Sequence, residues 1–431
     1  MTDDPLMSRD TDPPLRTAEI VAVGSELLGS TRLDTNSLFL AERLSGLGIM
    51  LRSKCVVGDD RTDLATVFAQ AFARADLVVL TGGLGPTDDD LTREVVAQVL
   101  GLELEEDARI VAGIEGRFAS RGLRMPEVNR RQAMVPRGAI VLDNPNGTAP
   151  GLFIETGRRV VVLLPGPPRE LQPMVETLCA GALLARAGQS RLHRASLFIT
   201  GRGESQVEEI AQPIYSRWKA EEPPIDTTIL ASPGQTELHL TLRAEDADAG
   251  ARRVLAARDE LAAALGRDVF STDGRSLEEI VGELLRERHH TIAAAESCTG
   301  GLFMSRLTDV PGSSAYVLAG VVAYSNDAKT ALAGVPPELI EAHGAVSEPV
   351  AVAMADGIRA RVGSSLGVGI SGIAGPGGAT PKKPVGTVVI ALAGVGGGIK
   401  VRTFAFPGGR AQVKFFAAQA ALDMVRRSLT M

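Results

Sequence analysis

The chain has 431 residues, 45 % of them hydrophobic and 23 % charged, and 45 Lys and Arg against 52 Asp and Glu give a formal charge of −7. This is an ordinary balance for a soluble globular protein, with a length prior of about three domains. It argues against a direct nucleic-acid binder, which would show a basic face. No stretch reaches the ~18 consecutive apolar residues that a membrane helix needs. The three cysteines (Cys55, Cys179, Cys298) have neither CxxC nor zinc spacing. They are read as reduced thiols of a cytoplasmic protein.

Residues 1–16 (MTDDPLMSRDTDPPLR) are acidic and Pro-rich with no apolar run, so they read as a disordered tail and not a signal peptide. A first domain is expected over 17–182. It opens with the strand AEIVAVG and the helix NSLFLAERLSGLG, then MLRSKCVVG, DLATVFAQAFARA, DLVVLTGG and a helix from near Leu91. RRVVVLLPGPP is the last strand. Short apolar runs alternating with amphipathic helices indicate a doubly wound α/β fold. Residues 190–272 follow a β-α-β-β-α-β rhythm, RASLFIT to DVFST, which is ferredoxin-like α+β. That domain carries no obvious chemistry and is expected to act as a spacer or oligomerisation module. The third domain, 276–431, is again α/β. Its first helix, SLEEIVGELLRERH, opens with a capping box of Ser276 and Glu279.

Two segments carry chemistry. TGGLGPTDDD (Thr81–Asp90) links a strand to a helix at the position where open α/β sheets bind ligands. Gly82, Gly83 and Gly85 let backbone approach a ligand, and Asp88, Asp89 and Asp90 are hard oxygen donors for a divalent cation. The set points to a phosphate ester or pyrophosphate held with a metal, against the plainer reading of a Gly-rich turn with solvated acids. Ser25 and Glu26, then Pro165, Gly166 and Arg169, end two other strands that could share the crevice.

The second segment runs through ESCTGG (Glu296–Gly301), PGSS (Pro311–Ser314), AYSNDAK (Ala323–Lys329) and SGIAGPGG (Ser371–Gly378). Such loops can build a nucleophile and oxyanion donors. Three nucleophile systems are open. A Ser–His–acid triad would need His289, His290 or His343. A Cys298 thiolate would need electropositive surroundings. A serine–lysine pair would need a lysine of lowered proton affinity, and Lys329 is the only lysine between Lys219 and Lys382.

VGSELL, DTNS, VGDD, TGGLGPTDDDLT, NPNGTAPG and LPGPPRE closely resemble the N-terminal domain of the CinA family, which is similar to molybdopterin-binding domains of the MoaB/MogA type. The resemblance implies a metal-dependent ADP-ribose pyrophosphatase. Its ligand would lie among Glu26, Asn36, Asp59, Gly82, Gly83, Pro165 and Gly166, with a divalent metal such as Mg²⁺ on Asp89 and Asp90 and K⁺ as an optional companion.

AAAESCTGG, TDVPGSSAYVLAGVVAYSNDAK, HGAVSEPVA, SGIAGPGG, KPVGTV and PGGR resemble the family's C-terminal domain, a nicotinamide-nucleotide amidase also found alone as PncC. Carried over, Ser314 is the nucleophile, Lys329 its general base, and Tyr324 supports the pair. Ser297, Thr299, Gly300, Asn326, Gly372 and Arg410 are the expected substrate contacts, the first three and Arg410 toward the phosphate. This half needs no cofactor. Ser371 departs from the family's more frequent Thr but keeps a hydroxyl. The resemblance also implies a homodimer acting on nicotinamide mononucleotide and ADP-ribose, with no direct contact to nucleic acid or membrane. The rival expectation is a binding or regulatory protein of competence or DNA-damage response with a silent amidase site.

Overall fold

The computed structural model describes residues 13–394 and 398–430. The chain divides into two compact units: residues up to His193 with Arg243–Gly250, and Arg194–Leu242 with Ala251 onward. Most of the expected 1–16 tail lies outside the described residues. Its end does not behave as a tail, because Leu15 is buried and its N–H donates to the Arg186 carbonyl.

The first unit contains β1 (Thr17–Val23), α1 (Thr35–Gly46), β2 (Met50–Val57), α2 (Arg61–Arg74), β3 (Leu77–Thr81), α3 (Thr92–Leu100), β4 (Leu104–Glu106) and α4 (Ala108–Ala119). There follow β5 (Met134–Pro136), β6 (Ile140–Leu142), β7 (Gly151–Thr156), β8 (Arg159–Leu164), α5 (Pro168–Ala180) and α6 (Ala182–Arg186). Six strands form one sheet in the order β2-β1-β3-β8-β7-β6, while β4 and β5 pair separately. The first four strands are parallel, and β7 and β6 add an antiparallel edge. Alternation along β1 sends Ala18 and Ile20 to one core and Val21 and Val23 to the other, so the sheet is covered on both faces. β2 and β3 leave β1 on opposite sides, so the carboxyl ends of β1 and β3 flank a topological switch point.

The second unit begins with β9 (Arg191–Ile199), α7 (Glu204–Trp218), β10 (Ile225–Ser232), β11 (Gln235–Ala244), α8 (Ala247–Leu265) and β12 (Val269–Ser271). Their sheet order, β10-β11-β9-β12, is the ferredoxin-like arrangement. It continues with α9 (Leu277–Glu287), β13 (Ile292–Glu296), α10 (Leu302–Thr308), β14 (Val317–Val322), α11 (Asn326–Ala333) and α12 (Pro337–His343). The last elements are α13 (Glu348–Val362), β15 (Leu366–Gly372), β16 (Thr387–Ala393), β17 (Ile399–Ala405) and α14 (Arg410–Leu429). The five-stranded sheet runs β14-β13-β15-β16-β17, with β14, β13 and β15 parallel and β16 and β17 antiparallel.

The expected capping box opens α9: Ser276 Oγ accepts from the Glu279 N–H at 3.3 Å, and Glu279 returns the bond at 2.7 Å. Helix α13 lies unusually close to β15. A Cβ at Gly369 would stand 2.2 Å from the Ala351 carbonyl oxygen, which is why that strand reads LGVGISG. Among the described residues, no helix is long and apolar enough to cross a membrane.

Candidate functional sites

The C-terminal site is built where β13 and β15 end, at the switch point of the five-stranded sheet. Ser297 N–H donates to the Ile370 carbonyl at 2.9 Å and ties the two strand ends together. Glu296 is 1 % exposed. Its Oε2 accepts from the Gly301 and Phe303 N–H groups at 3.0 and 3.2 Å, and its Oε1 from Met304 N–H at 2.9 Å. The glutamate therefore caps α10, supplying the acceptors that helix start lacks. A phosphate at that helix start would compete with Glu296 for these donors. The donors of that helix start are already taken, and the Thr299 hydroxyl is fully buried without a partner. Ser297 is also buried, leaving only Gly300 of the three on the surface.

Lys329 lies in the second turn of α11, whose N-cap Ser325 accepts from the Ala328 N–H. It is 2 % exposed, and its Nζ donates to the Tyr324 carbonyl at 3.3 Å. Burial lowers its proton affinity below the ordinary lysine value. Cys298 stands near it, but at 5 % exposure burial pushes that thiol up to about 12. A thiolate nucleophile is thereby disfavoured. Tyr324 is 59 % exposed, and its hydroxyl accepts from Arg410 at 2.6 Å. Arg410 also donates to the Gly375 carbonyl at 2.8 Å, joining the loops after β14 and β15. One turn along α14, Lys414 holds its ammonium 3.5 Å from where a Cβ on Gly300 would lie. Arg410 and Lys414 share a helix face. With Leu302 and Ala411 they line an open depression of about 440 Å³.

Ser314 is elsewhere. It is exposed in the 3-10 turn Ser313–Ala315, before β14 begins. The Tyr316 carbonyl accepts from Ile292 N–H at the start of β13, and Ala323 N–H donates to the Glu296 carbonyl at its end. Ser314 and Lys329 thus flank opposite ends of a six-residue strand, a span of about 17–20 Å. The expected dyad does not form within one chain, because a parallel strand carries the chain from one rim of the sheet to the other. His289 and His290 also precede β13, on the rim away from Lys329, and His343 ends α12 instead of lying in a loop.

In the first unit, a cleft of about 670 Å³ is lined by Glu26, Asn36, Asp59, Gly82, Gly83, Asp89, Asp90, Pro165 and Gly166, while Ser25, Asp88 and Arg169 are not part of its lining. Arg32, Asp34, Gln132, Thr148 and Glu170 join them. Asn36 donates to the Gly166 carbonyl at 2.7 Å, while its Oδ1 is buried without a partner. Asp59 accepts from Ser25 N–H at 2.8 Å, and Ser25 Oγ accepts from Asp59 N–H at 3.0 Å, linking the ends of β1 and β2. Gly82 and Gly83 line the cleft, but internal packing explains their identity. At positive φ, a Cβ on Gly82 would lie 2.2 Å from the Val23 carbonyl oxygen, and one on Gly83 2.2 Å from Thr92 Oγ1. Among the acids, Asp90 accepts from Thr87 N–H and Oγ1, and Asp88 pairs with Arg131. Among the described residues, no three His, Cys, Asp or Glu side chains are grouped to hold a metal.

Residues 274–429 match the CinA C-terminal domain, and residues 19–185 match a probable molybdopterin binding domain. A CinA-like protein of Koribacter versatilis is 50 % identical over 421 residues, covering 96 % of this chain and 99 % of the relative. The chain belongs to the CinA family. A putative competence-damage inducible protein of Symbiobacterium thermophilum is 48 % identical over 425 residues, covering 96 % and 98 %. Among solved structures, the competence/damage inducible protein CihA from Agrobacterium tumefaciens is 36 % identical, covering 36 % of this chain and 94 % of that one, with a TM-score of 0.35.

In this CinA-family chain the structure gathers Lys329, Tyr324 and Arg410, and separately all nine N-terminal residues. Asn326 is exposed in the first turn of α11, and Gly372 ends β15, where a Cβ would crowd Val388 and the Thr387 carbonyl. The expected list lacked Lys414, although its spacing of four from Arg410 was a readable signal. It also lacked Arg93, buried behind the glycine loop, where it donates to the Leu84 and Arg131 carbonyls. Desolvation lowers that guanidinium to about 10.

Proposed function

We propose that the C-terminal part hydrolyses the carboxamide of a phosphorylated pyridine nucleoside, converting nicotinamide mononucleotide to nicotinate mononucleotide and ammonia. The observation that carries this reading is Lys329, a nearly dehydrated lysine with one hydrogen-bond acceptor beside a strand-end loop. Burial favours its neutral form, and a neutral amine can take a proton from a serine hydroxyl. The Ser314 oxygen, supplied to this lysine by a second copy of the chain, then attacks the amide carbon, and the ammonium formed on Lys329 returns its proton to departing ammonia. Water opens the acyl-enzyme by the same route in reverse. Arg410 and Lys414 supply positive charge for the 5′-phosphate, replacing the helix-start donors that Glu296 occupies.

The N-terminal cleft supports a second hydrolytic reading, toward a pyrophosphate such as ADP-ribose. Asp89 and Asp90 would hold a divalent cation whose remaining ligands come from phosphate oxygens and water, the usual pattern for Mg²⁺. When bound, the ion would neutralise charge on the phosphates. Asn36, with one buried oxygen unpartnered, would orient the ligand.

The competing reading, a regulatory protein with a silent amidase, draws support from the separation of Ser314 and Lys329 within one chain. Product analysis separates the readings. Nicotinamide mononucleotide incubated with the full chain should give nicotinate mononucleotide. Released free nicotinamide, or unchanged substrate with folded protein, would overturn the amidase.

A further inference from the structure

The second unit holds a cavity of about 820 Å³ that neither hydrolytic reading uses. Its walls come from β17, one face of α14, the loop between β9 and α7, and the β10–β11 turn. Small ligands bind in cavities of about 300–1,000 Å³ that combine apolar or aromatic walls with a few placed polar groups.

The aromatic wall is a ladder of three rings that line this cavity. Phe404 and Phe406 stack with centroids 5.1 Å apart and planes 10° from parallel, and Phe416 of α14 stands 5.9 Å from Phe406. The Arg402 guanidinium lies over the Phe404 ring, 5.0 Å from its centroid. Another planar ring can extend such a stack. The charges around it are unequally committed. Asp268 pairs with Arg202 and Arg427, and Asp423 with Arg426 and Arg427. The other acid of the lining, Glu204, is exposed in the first turn of α7. Arg402 is exposed and has no carboxylate partner among the described residues, which leaves a cation beside the rings. A third feature is Gln419, 3 % exposed on the α14 wall. Its Oε1 accepts from Arg306 at 2.7 Å, while its Nε2 is buried without a partner. The β10–β11 turn covers it so closely that a Cβ on Gly234 would stand 2.8 Å from Gln419 Cγ. An acceptor admitted beneath that turn would supply the missing bond.

We propose that this cavity binds a nucleoside monophosphate that the enzyme does not turn over. The base extends the Phe404–Phe406 stack, its acceptor edge meets the Gln419 amide, and the phosphate pairs with Arg402. The proposal is independent of both hydrolytic readings, and its test reads binding alone.

The probe is AMP, with adenosine beside it, titrated into the full-length chain while hydrogen exchange is followed. AMP should slow exchange in the two loops of the cavity, residues 201–206 and 231–236. Arg402→Ala removes an exposed side chain and should weaken AMP at these loops about tenfold, the loss of one charged contact, while leaving adenosine unchanged. Phe404→Leu keeps apolar bulk but removes the ring, and should weaken both ligands. Thermal melts matching the wild type establish that each variant is folded, and if Phe404→Leu is not, Arg402→Ala decides alone. Slowed exchange confined to the N-terminal cleft or to the loops around Lys329 would overturn the proposal. So would no slowing at millimolar AMP, or an AMP affinity at these loops that Arg402→Ala leaves unchanged.

Discussion

Replacing Glu296 by alanine separates a structural glutamate from a catalytic one. The carboxylate is almost wholly buried and receives three backbone N–H groups, from Gly301, Phe303 and Met304, at 2.9–3.2 Å. Each buried donor left unsatisfied costs about 1–3 kcal/mol, but the three share one carboxylate, and its removal also recovers desolvation energy. The expected net loss is about 2–4 kcal/mol, with Glu296→Gln falling between wild type and alanine because one acceptor oxygen survives. Urea titration of the full chain reports the global loss, and hydrogen exchange locates it. Protection should fall at Gly301, Phe303 and Met304 and along α10, while the first unit stays unchanged. Undiminished stability and protection in a variant that has lost turnover would refute the capping role and place Glu296 in the chemistry.

Lys329→Met should raise stability at neutral pH. Burial lowers the proton affinity of Lys329 in the folded state, so the unfolded chain binds more protons and wild-type stability rises with pH toward the unfolded value near 10.5. The variant's advantage should therefore shrink over that range, and an advantage constant with pH would contradict it. For the same reason, kcat/KM should rise with pH through an inflection below the ordinary lysine value, and an inflection at or above it would contradict a buried base. Cys298→Ser should retain turnover, and the wild-type thiol should alkylate slowly at pH 8, its pKa standing near 12; fast labelling would reopen a thiolate mechanism. Lys414→Ala should raise KM for nicotinamide mononucleotide about tenfold, the loss of one charged contact, while leaving turnover of the unphosphorylated nucleoside unchanged. Gly82→Ala, with its new Cβ 2.2 Å from the Val23 carbonyl oxygen, should destabilise the first unit by at least about 1–3 kcal/mol in thermal melts.

Elements with local punctuation were legible in the sequence. α9 carries its capping box, α7 and α13 fall on the expected segments, and β1, β3 and β13 are uninterrupted apolar runs. Helix α14 was not legible, because burial around most of its circumference erases the amphipathic stripe. β7 and β17 were missed as well; β17 is largely exposed, with weak alternation. The nine N-terminal site residues could be grouped because they all follow strands of one parallel sheet, whose carboxyl ends share a rim. The separation of Ser314 from Lys329 was not legible in the same way. Ser314 lies only fifteen positions before Lys329, but that interval contains β14, and spacing alone does not say that the intervening strand spans the sheet. Of the expected phosphate contacts, Arg410 lines the open depression, whereas Ser297 and Thr299 are buried. ESCTGG looks like an anion loop until its own glutamate is seen filling it.

Lys329 is proposed above as the base of an amide hydrolysis. Ammonia release from nicotinamide mononucleotide by the full-length wild type, in the presence of a chelator and beside a folded Lys329→Ala protein, tests it most directly. Release by the wild type and none above background by the variant is the expected outcome. Equal release by both, or none by the wild type, would contradict it.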